Sequence, residues 1–221
     1  MTDFEVQAEK LEKEALNIIH DNNGWTYLKT SDQVKVYWKP SPHFKGNMYK
    51  FLVEIDEPFN EVYDVMKPPD TTQARLSWDK SIKHYEQLKK VNQDISIGWI
   101  QTHPVAMGMI SMREFIDLYY FRKYDSDSRN PDYGKTCWIF ATSIDYSFHP
   151  PTPGCVCAKN YPAGYAVAQD KRNPNKSIME LYVNCDIGGK LPRSLVEAAL
   201  PSQQVAYVKS VVKEVKHRKG K

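Results

Sequence analysis

The sequence predicts an α+β fold, with a long sheet lying between a helix at each end of the chain. Three observations carry this. Apolar residues recur at helical spacing before residue 20, mostly strand-like segments fill Ile82 to Asp186, and a second helical stripe begins near Pro192. No repeat, low-complexity tract or linker divides the 221 residues, so a single domain spanning 1–221 is expected.

The first stripe is Phe4, Ala8, Leu11, Ala15, Ile18 and Ile19, with Glu5, Glu9, Lys10, Glu12 and Lys13 on the wet side. Asp21-Asn22-Asn23-Gly24 ends it. Extended segments follow at Trp25–Lys29, Val34–Lys39 and Asn47–Ile55, broken by Ser31-Asp32 and by Pro40–Pro42. Glu57–Met66 reads as a short helix with Phe59, Val62, Tyr63 and Met66 on one face, stopped by Pro68-Pro69. Seven strands are then expected: Ile82–Leu88, Ile95–Thr102, Glu114–Tyr124, Cys137–Asp145, Cys155–Asn160, Tyr165–Gln169 and Ser177–Asp186. Asp125–Gly134 is a polar hairpin loop and Tyr146–Gly154 a Pro-rich one. The last helix runs from about Pro192 to Val215, with Leu195, Ala199, Val205, Val208, Val212 and Val215 on its apolar side and Pro201 expected to bend it.

Composition narrows the function. Apolar residues are 41 % and charged residues 26 %, which is globular. A net charge of +3 is too weak to argue for a nucleic-acid partner. No apolar run reaches the roughly 18 residues of a membrane span. The first residues, Met1-Thr2-Asp3-Phe4-Glu5, have neither the basic start nor the apolar core of a secretory signal, so a cytoplasmic protein is expected. Four cysteines in so long a chain read as thiols, not as a disulfide framework.

Chemistry-bearing motifs are sparse. The glycines form no phosphate-cradling loop, and no G-x-S-x-G elbow occurs. Cys155 and Cys157 lack zinc-knuckle spacing, and no histidine pair has H-x-x-x-H spacing. No catalytic residue, metal or cofactor is therefore expected, and the aromatic content of 12 %, with 14 tyrosines, suits a container better than an enzyme.

Particular residues then become specific. Phe44-Lys45-Gly46-Asn47-Met48-Tyr49, Trp78-Asp79 and Ile110 to Leu118 are followed by Ser143-Ile144-Asp145 and Pro150-Pro151. Asn160-Tyr161-Pro162-Ala163-Gly164 and Gly189-Lys190-Leu191-Pro192 complete the series. In this order they resemble the START (steroidogenic acute regulatory protein-related lipid transfer) domain family, closest to its small soluble sterol carriers, over essentially the whole chain. The resemblance implies a helix-grip fold: a curved antiparallel sheet around a lipid tunnel closed by the C-terminal helix. It implies binding and transfer of one hydrophobic ligand, a sterol or other isoprenoid, by a monomer that touches membranes transiently.

Departures from the family pattern are informative. Met112 replaces a proline before Arg113, and Tyr161 replaces a histidine. Several sterol-binding members carry an acid and an arginine deep in the tunnel; counted from Arg113, those positions hold Ile100 and Tyr119 here. The resemblance therefore implies a tunnel without that charged pair. If Tyr119 faces inward, strand alternation sends Phe115, Asp117 and Phe121 the same way and Ile116, Leu118 and Tyr120 outward. Asp117, once buried, needs a partner. The ligand-binding candidates are Ile100, Thr102, Phe115, Asp117, Tyr119, Phe121, Trp138, Asn160, Tyr161 and, on the closing helix, Leu200.

Rival readings have their own residues. A carotenoid would suit Phe115, Tyr119, Phe121 and Trp138. A helix-grip enzyme would need an acid–base pair such as Asp117 with His103, and a pure interaction module would have a solid interior. The loop Tyr146–Gly154 and the last helix are expected to part for the ligand. The bases Lys213, Lys216, His217, Arg218, Lys219 and Lys221 are candidates for docking on anionic lipid.

Overall fold

A computed structural model describes residues 2–67, 71–126 and 130–220. The helix terminator Pro68-Pro69, part of the 125–134 loop, and Lys221 lie outside the described residues. The first helix, α1, spans Asp3–His20 and opens on a capping box between Thr2 and Glu5. Its buried residues Ala8, Leu11, Ala15 and Ile19 are the predicted stripe, and Asp21 caps its end. Three strands follow, β1 (Thr26–Ser31), β2 (Val34–Pro40) and β3 (Asn47–Ile55). The β1–β2 turn falls on Asp32 and Gln33, at φ 49° and 67°. Positive φ at both turn residues matches the right-handed twist of the paired strands.

Two short helices come next, α2 (Phe59–Met66) and α3 (Thr72–Leu76). The main sheet strands are then β4 (Ile82–Lys90), β5 (Ile95–Thr102), β6 (Arg113–Tyr124) and β7 (Tyr133–Ser143). Beyond them lie β8 (Val156–Cys157), β9 (Lys159–Asn160), β10 (Ala163–Asp170), β11 (Ser177–Val183) and β12 (Cys185–Asp186). The closing helix α4 spans Arg193–Lys219 and continues unbroken through Pro201.

Nine strands form one antiparallel path in the order β1-β2-β3-β11-β10-β7-β6-β5-β4, with β8 added in parallel beside β6. The sheet does not close on itself; β1 and β4 are its ends. The segment expected as one strand over Cys155–Asn160 is two. Val156–Cys157 pairs with Arg113–Glu114, while Lys159–Asn160 pairs with Cys185–Asp186, so the chain changes partner at Ala158.

Alternation along each strand separates two apolar layers. On the outer face α1 packs Leu11, Ala15 and Ile19 against Trp138, Phe140 and Ala166, and Ala8 against Ile95, Ile97 and Leu118. Arg122 and Tyr124 of β6 both bond Glu12, fastening α1 from the side. On the inner face Val205, Val208, Val211 and Val215 of α4 pack with α2 and with Phe51, Val53, Met179 and Leu181. The C-terminal half of α4 thus plugs the β2-β3-β11 side. Its N-terminal end is tied to the start of β3, where Asn47 donates to Glu197 at 2.8 Å and accepts from Arg193 at 3.0 Å, and between these two ends α4 faces an open interior that it shares with β4–β7.

Trp138 corrects one expectation. It is 2 % exposed and stacked on Phe140 at 5.2 Å, on the face that α1 covers. Its neighbours Ile139 and Ala141 are on the cavity wall. Trp138→Ala is expected to lower unfolding stability by about 3–5 kcal/mol in a denaturant titration, while the folded protein keeps its ligand capacity.

Candidate functional site

A cavity of about 220 Å³ lies between the inner face of β4–β7 and α4. One buried water needs only about 10–15 Å³, so this is a chamber and not a packing defect. Phe115, Asp117 and Tyr119 of β6 line it together with Ile100 and Thr102 of β5. Ile139 and Ala141 of β7 form the next strip, then Tyr165 of β10. Ala199, Leu200, Gln203, Gln204 and Tyr207 of α4 form the opposite wall. Asn160 and Tyr161 border it beside Asn184 and Cys185. Tyr161 is held by stacking on His43 at 5.1 Å and on Phe44 at 5.6 Å.

Phe121 shares the inward face of β6 but is not on the cavity wall; it packs with the core beneath α4. Two of the four aromatics proposed for a polyene, Phe121 and Trp138, therefore lie outside the chamber. His103 is exposed and absent from the wall, so the structure does not bring it to Asp117.

The segment over the chamber's end also differs from expectation. Val105 and Ile110, bridged to each other in the loop 103–112, line the cavity, and no residue of Tyr146–Gly154 does. The Pro-rich loop is fastened elsewhere: Thr152 donates its N–H to Glu114 at 2.9 Å, Gln101 donates to Thr152 at 3.0 Å, and His149 lies 4.2 Å from Trp99. Trp99 alternates with Ile100, so this anchorage is on the outer face. The C-terminal bases are partly engaged as well. Arg218 and His217 pair with Glu214, and Lys219 with Glu57.

Arg113 is structural. It is 4 % exposed, and its guanidinium donates to the carbonyls of Ser111, Ile187 and Gly188 and to the Ser111 hydroxyl. One side chain thereby staples the start of β6 to the segment that leads into α4. Glu114 beside it faces outward and accepts from Thr152, Trp99 and Cys157; burial raises its pKa, but these donors outweigh it and leave the group below the usual carboxylate range.

The polar wall has two centres. Asp117 Oδ1 accepts from Ser143 Oγ at 2.7 Å, and Oδ2 accepts from Asn160 Nδ2 at 2.8 Å and from the Tyr119 hydroxyl at 3.4 Å. Burial raises its pKa to about 6 against these three donors. Gly98, opposite Asp117 in the register, makes room for the Tyr119 ring, since a Cβ there would sit 2.9 Å from Tyr119 Cε2. The second centre was not foreseen. Arg75 of α3 pairs with Asp79 at 2.7 Å, and its guanidinium lies over Trp78 at 4.7 Å and Tyr207 at 5.6 Å. Burial disfavours the charged guanidinium, but Tyr207, Asp79 and Tyr119 outweigh it and raise its pKa. Ile100 and Tyr119 bring no charged pair to the chamber, yet it contains one formed by Arg75 of α3 and Asp79 in the turn that follows.

The fold and chamber together define a sheet-and-helix container with a mainly apolar interior and a polar wall. A family model described as the START domain matches residues 5–221, and the chain belongs to the START domain family. It is 31 % identical over 206 residues to human StAR-related lipid transfer protein 6, covering 93 % of this chain and 89 % of that one. It is 26 % identical to mouse StAR-related lipid transfer protein 5, covering 95 % and 94 %. The solved structure of human StAR-related lipid transfer protein 5 superimposes with a TM-score of 0.86 at 26 % identity, covering 97 % of each chain. Among the described residues no helix is long and apolar enough to cross a membrane.

Two outcomes follow from the polar wall. Asp79→Asn leaves a buried guanidinium without its counter-charge and is expected to cost about 3–5 kcal/mol in chemical denaturation; Arg75→Met with Asp79→Leu should recover much of that. Asp117 binds its proton more tightly folded than unfolded. Its contribution to stability is therefore fully present below about pH 4 and lost as pH rises through about 6. Between those values the stability of the wild type should fall with pH about 1.4 kcal/mol per unit more steeply than that of Asp117→Asn. Equal slopes would show that the carboxyl titrates alike in both states.

Proposed function

We propose that this protein binds one hydrophobic lipid, a sterol or another isoprenoid, in the chamber and carries it between membranes. The observation that supports this best is the chamber itself: apolar side chains of β5, β6, β7 and α4 face open space at the place where a packed core would have filled it. Burying a few hundred Å² of ligand at roughly 25 cal/mol per Å² contributes on the order of 10 kcal/mol before ordering terms. A single hydrogen bond adds about 1 kcal/mol. Apolar burial sets affinity, and the polar wall sets which end of the ligand points where.

In this reading the protein acts as a monomer without a metal or resident cofactor, performs no covalent chemistry, and loads when the loop 103–112 and the first turns of α4 separate at a membrane surface. Ile100, Thr102, Phe115, Asp117, Tyr119, Asn160, Tyr161 and Leu200 contact the ligand. Native mass spectrometry of the purified protein, followed by organic extraction, should give one lipid per chain; a coloured preparation would favour a carotenoid over a sterol. Ala141→Phe places a ring in the chamber. It should reduce sterol binding more than tenfold, roughly the loss expected when a pocket is filled by the protein's own atoms, with unchanged circular dichroism. Full binding by this variant would refute the chamber as the site.

A further inference from the structure

The polar wall supports a sharper statement about the ligand, one that rests on the lipid-binding reading. An ionised carboxylate has about four acceptor positions, and Ser143, Asn160 and Tyr119 occupy three of those on Asp117. Asp117 lines the chamber, and among the described residues no further side chain donates to it, which leaves an acceptor position for a ligand there. Ser143 is not an alternative donor, because its hydroxyl accepts the N–H of Asn160 at 2.8 Å and gives its proton to Asp117. Among the described residues no ion pair involves Asp117, and Arg75 is engaged by Asp79 at 2.7 Å.

We propose that Asp117 selects the polar group of the bound lipid through its own protonation state, accepting a hydrogen bond from a ligand alcohol when ionised and donating one to a ligand ketone when protonated. The proton involved is the carboxyl's own, exchanged with solvent before binding, and no bond of the ligand changes.

The surroundings place this exchange near pH 6. Burial without a cation raises the Asp117 carboxyl to about 6. Burial also pushes the phenols of Tyr119 on β6, Tyr165 on β10 and Tyr207 on α4, and the thiol of Cys185 on β12, upward and away from that interval. Gly98 of β5, Ser143 of β7, Tyr85 of β4, the Arg75–Asp79 pair and Arg113, whose guanidinium is held by the carbonyls of Ser111, Ile187 and Gly188, complete the neighbourhood. His43, behind Tyr161, has its pKa lowered by burial and is a second group to be separated from Asp117.

The test uses 5α-cholestan-3β-ol and 5α-cholestan-3-one, which share one ring system and differ only in the oxygen at carbon 3. Each is titrated into the full-length protein from cyclodextrin between about pH 5 and about pH 7.5, across the Asp117 transition, with circular dichroism confirming the fold throughout. The ratio of alcohol to ketone affinity should rise on the order of tenfold from the acid to the neutral end, the size of one hydrogen bond to a charged group, and should be flat in Asp117→Asn. A wild-type ratio independent of pH overturns the proposal even if the variant fails to fold. A rise that persists in Asp117→Asn also overturns it and assigns the effect to His43. If both sterols saturate the protein one-to-one with an unchanging ratio, only this inference falls; if neither binds, the sterol reading falls with it.

Discussion

One helix cannot cover a nine-stranded face, and the architecture of this protein depends on that mismatch. Strands lie about 4.8 Å apart, so nine of them extend about 38 Å across the sheet, whereas a helix with its side chains is about 10–12 Å wide. Here α4 covers the β2-β3-β11 side with Val205, Val208, Val211 and Val215, and α2 widens the plug. Toward β4–β7 it presents Ala199, Leu200, Gln203 and Gln204, which line the cavity and do not fill it. A hollow results from geometry, and it is lined by the apolar half of an ordinary alternating strand pattern.

A hollow lowers the stability of the empty protein, because its wall gives up dispersion contacts that a packed core would make. The compensation lies at the margins. Arg113 joins the start of β6 to the approach to α4 through several carbonyls, while α1 seals the outer face with Leu11, Ala15 and Ile19. The polar centres are held just as firmly. Arg75 and Asp79 sit one helical turn apart, so the backbone brings both charges to one place, and Ser81 donates its N–H to Asp79 as well. Asp117 has three donors and no cation. A fully satisfied charge pair and a carboxyl with one acceptor position to spare are different objects: the first is structural, and the second can discriminate.

Much of the fold was legible because it rests on local periodicity. The stripe from Phe4 to Ile19 became α1, and Asn47–Ile55 and Ile95–Thr102 are strands with the predicted bounds. With Tyr119 placed inward by the resemblance, alternation sends Phe115, Asp117 and Phe121 the same way; Phe115, Asp117 and Tyr119 are on the wall and Phe121 is not. Trp138 was misplaced because its face depends on the β6–β7 register, which pairs it with Arg122 and turns it toward α1. The proline content of Tyr146–Gly154 says nothing of where the loop is fastened, because its anchorage to Glu114 and Trp99 involves residues far away in sequence. The pair Arg75 and Asp79 carried a visible signal, opposite charges four apart beside Trp78, in a stretch with too little periodicity to be read as a helix.

By itself the sequence determined most of the element types, the alternation along the long strands and, through motifs spread over the whole chain, membership of its family. These are properties of neighbours along the backbone, where alternation and helical spacing act over a few residues. Tertiary structure alone decided which apolar face remains uncovered, which loop lies over the opening, and that Asp117 meets Ser143 and Asn160 rather than a base. Those outcomes depend on strand register and on where α4 comes to rest, and both are set by contacts between segments that no local pattern encodes.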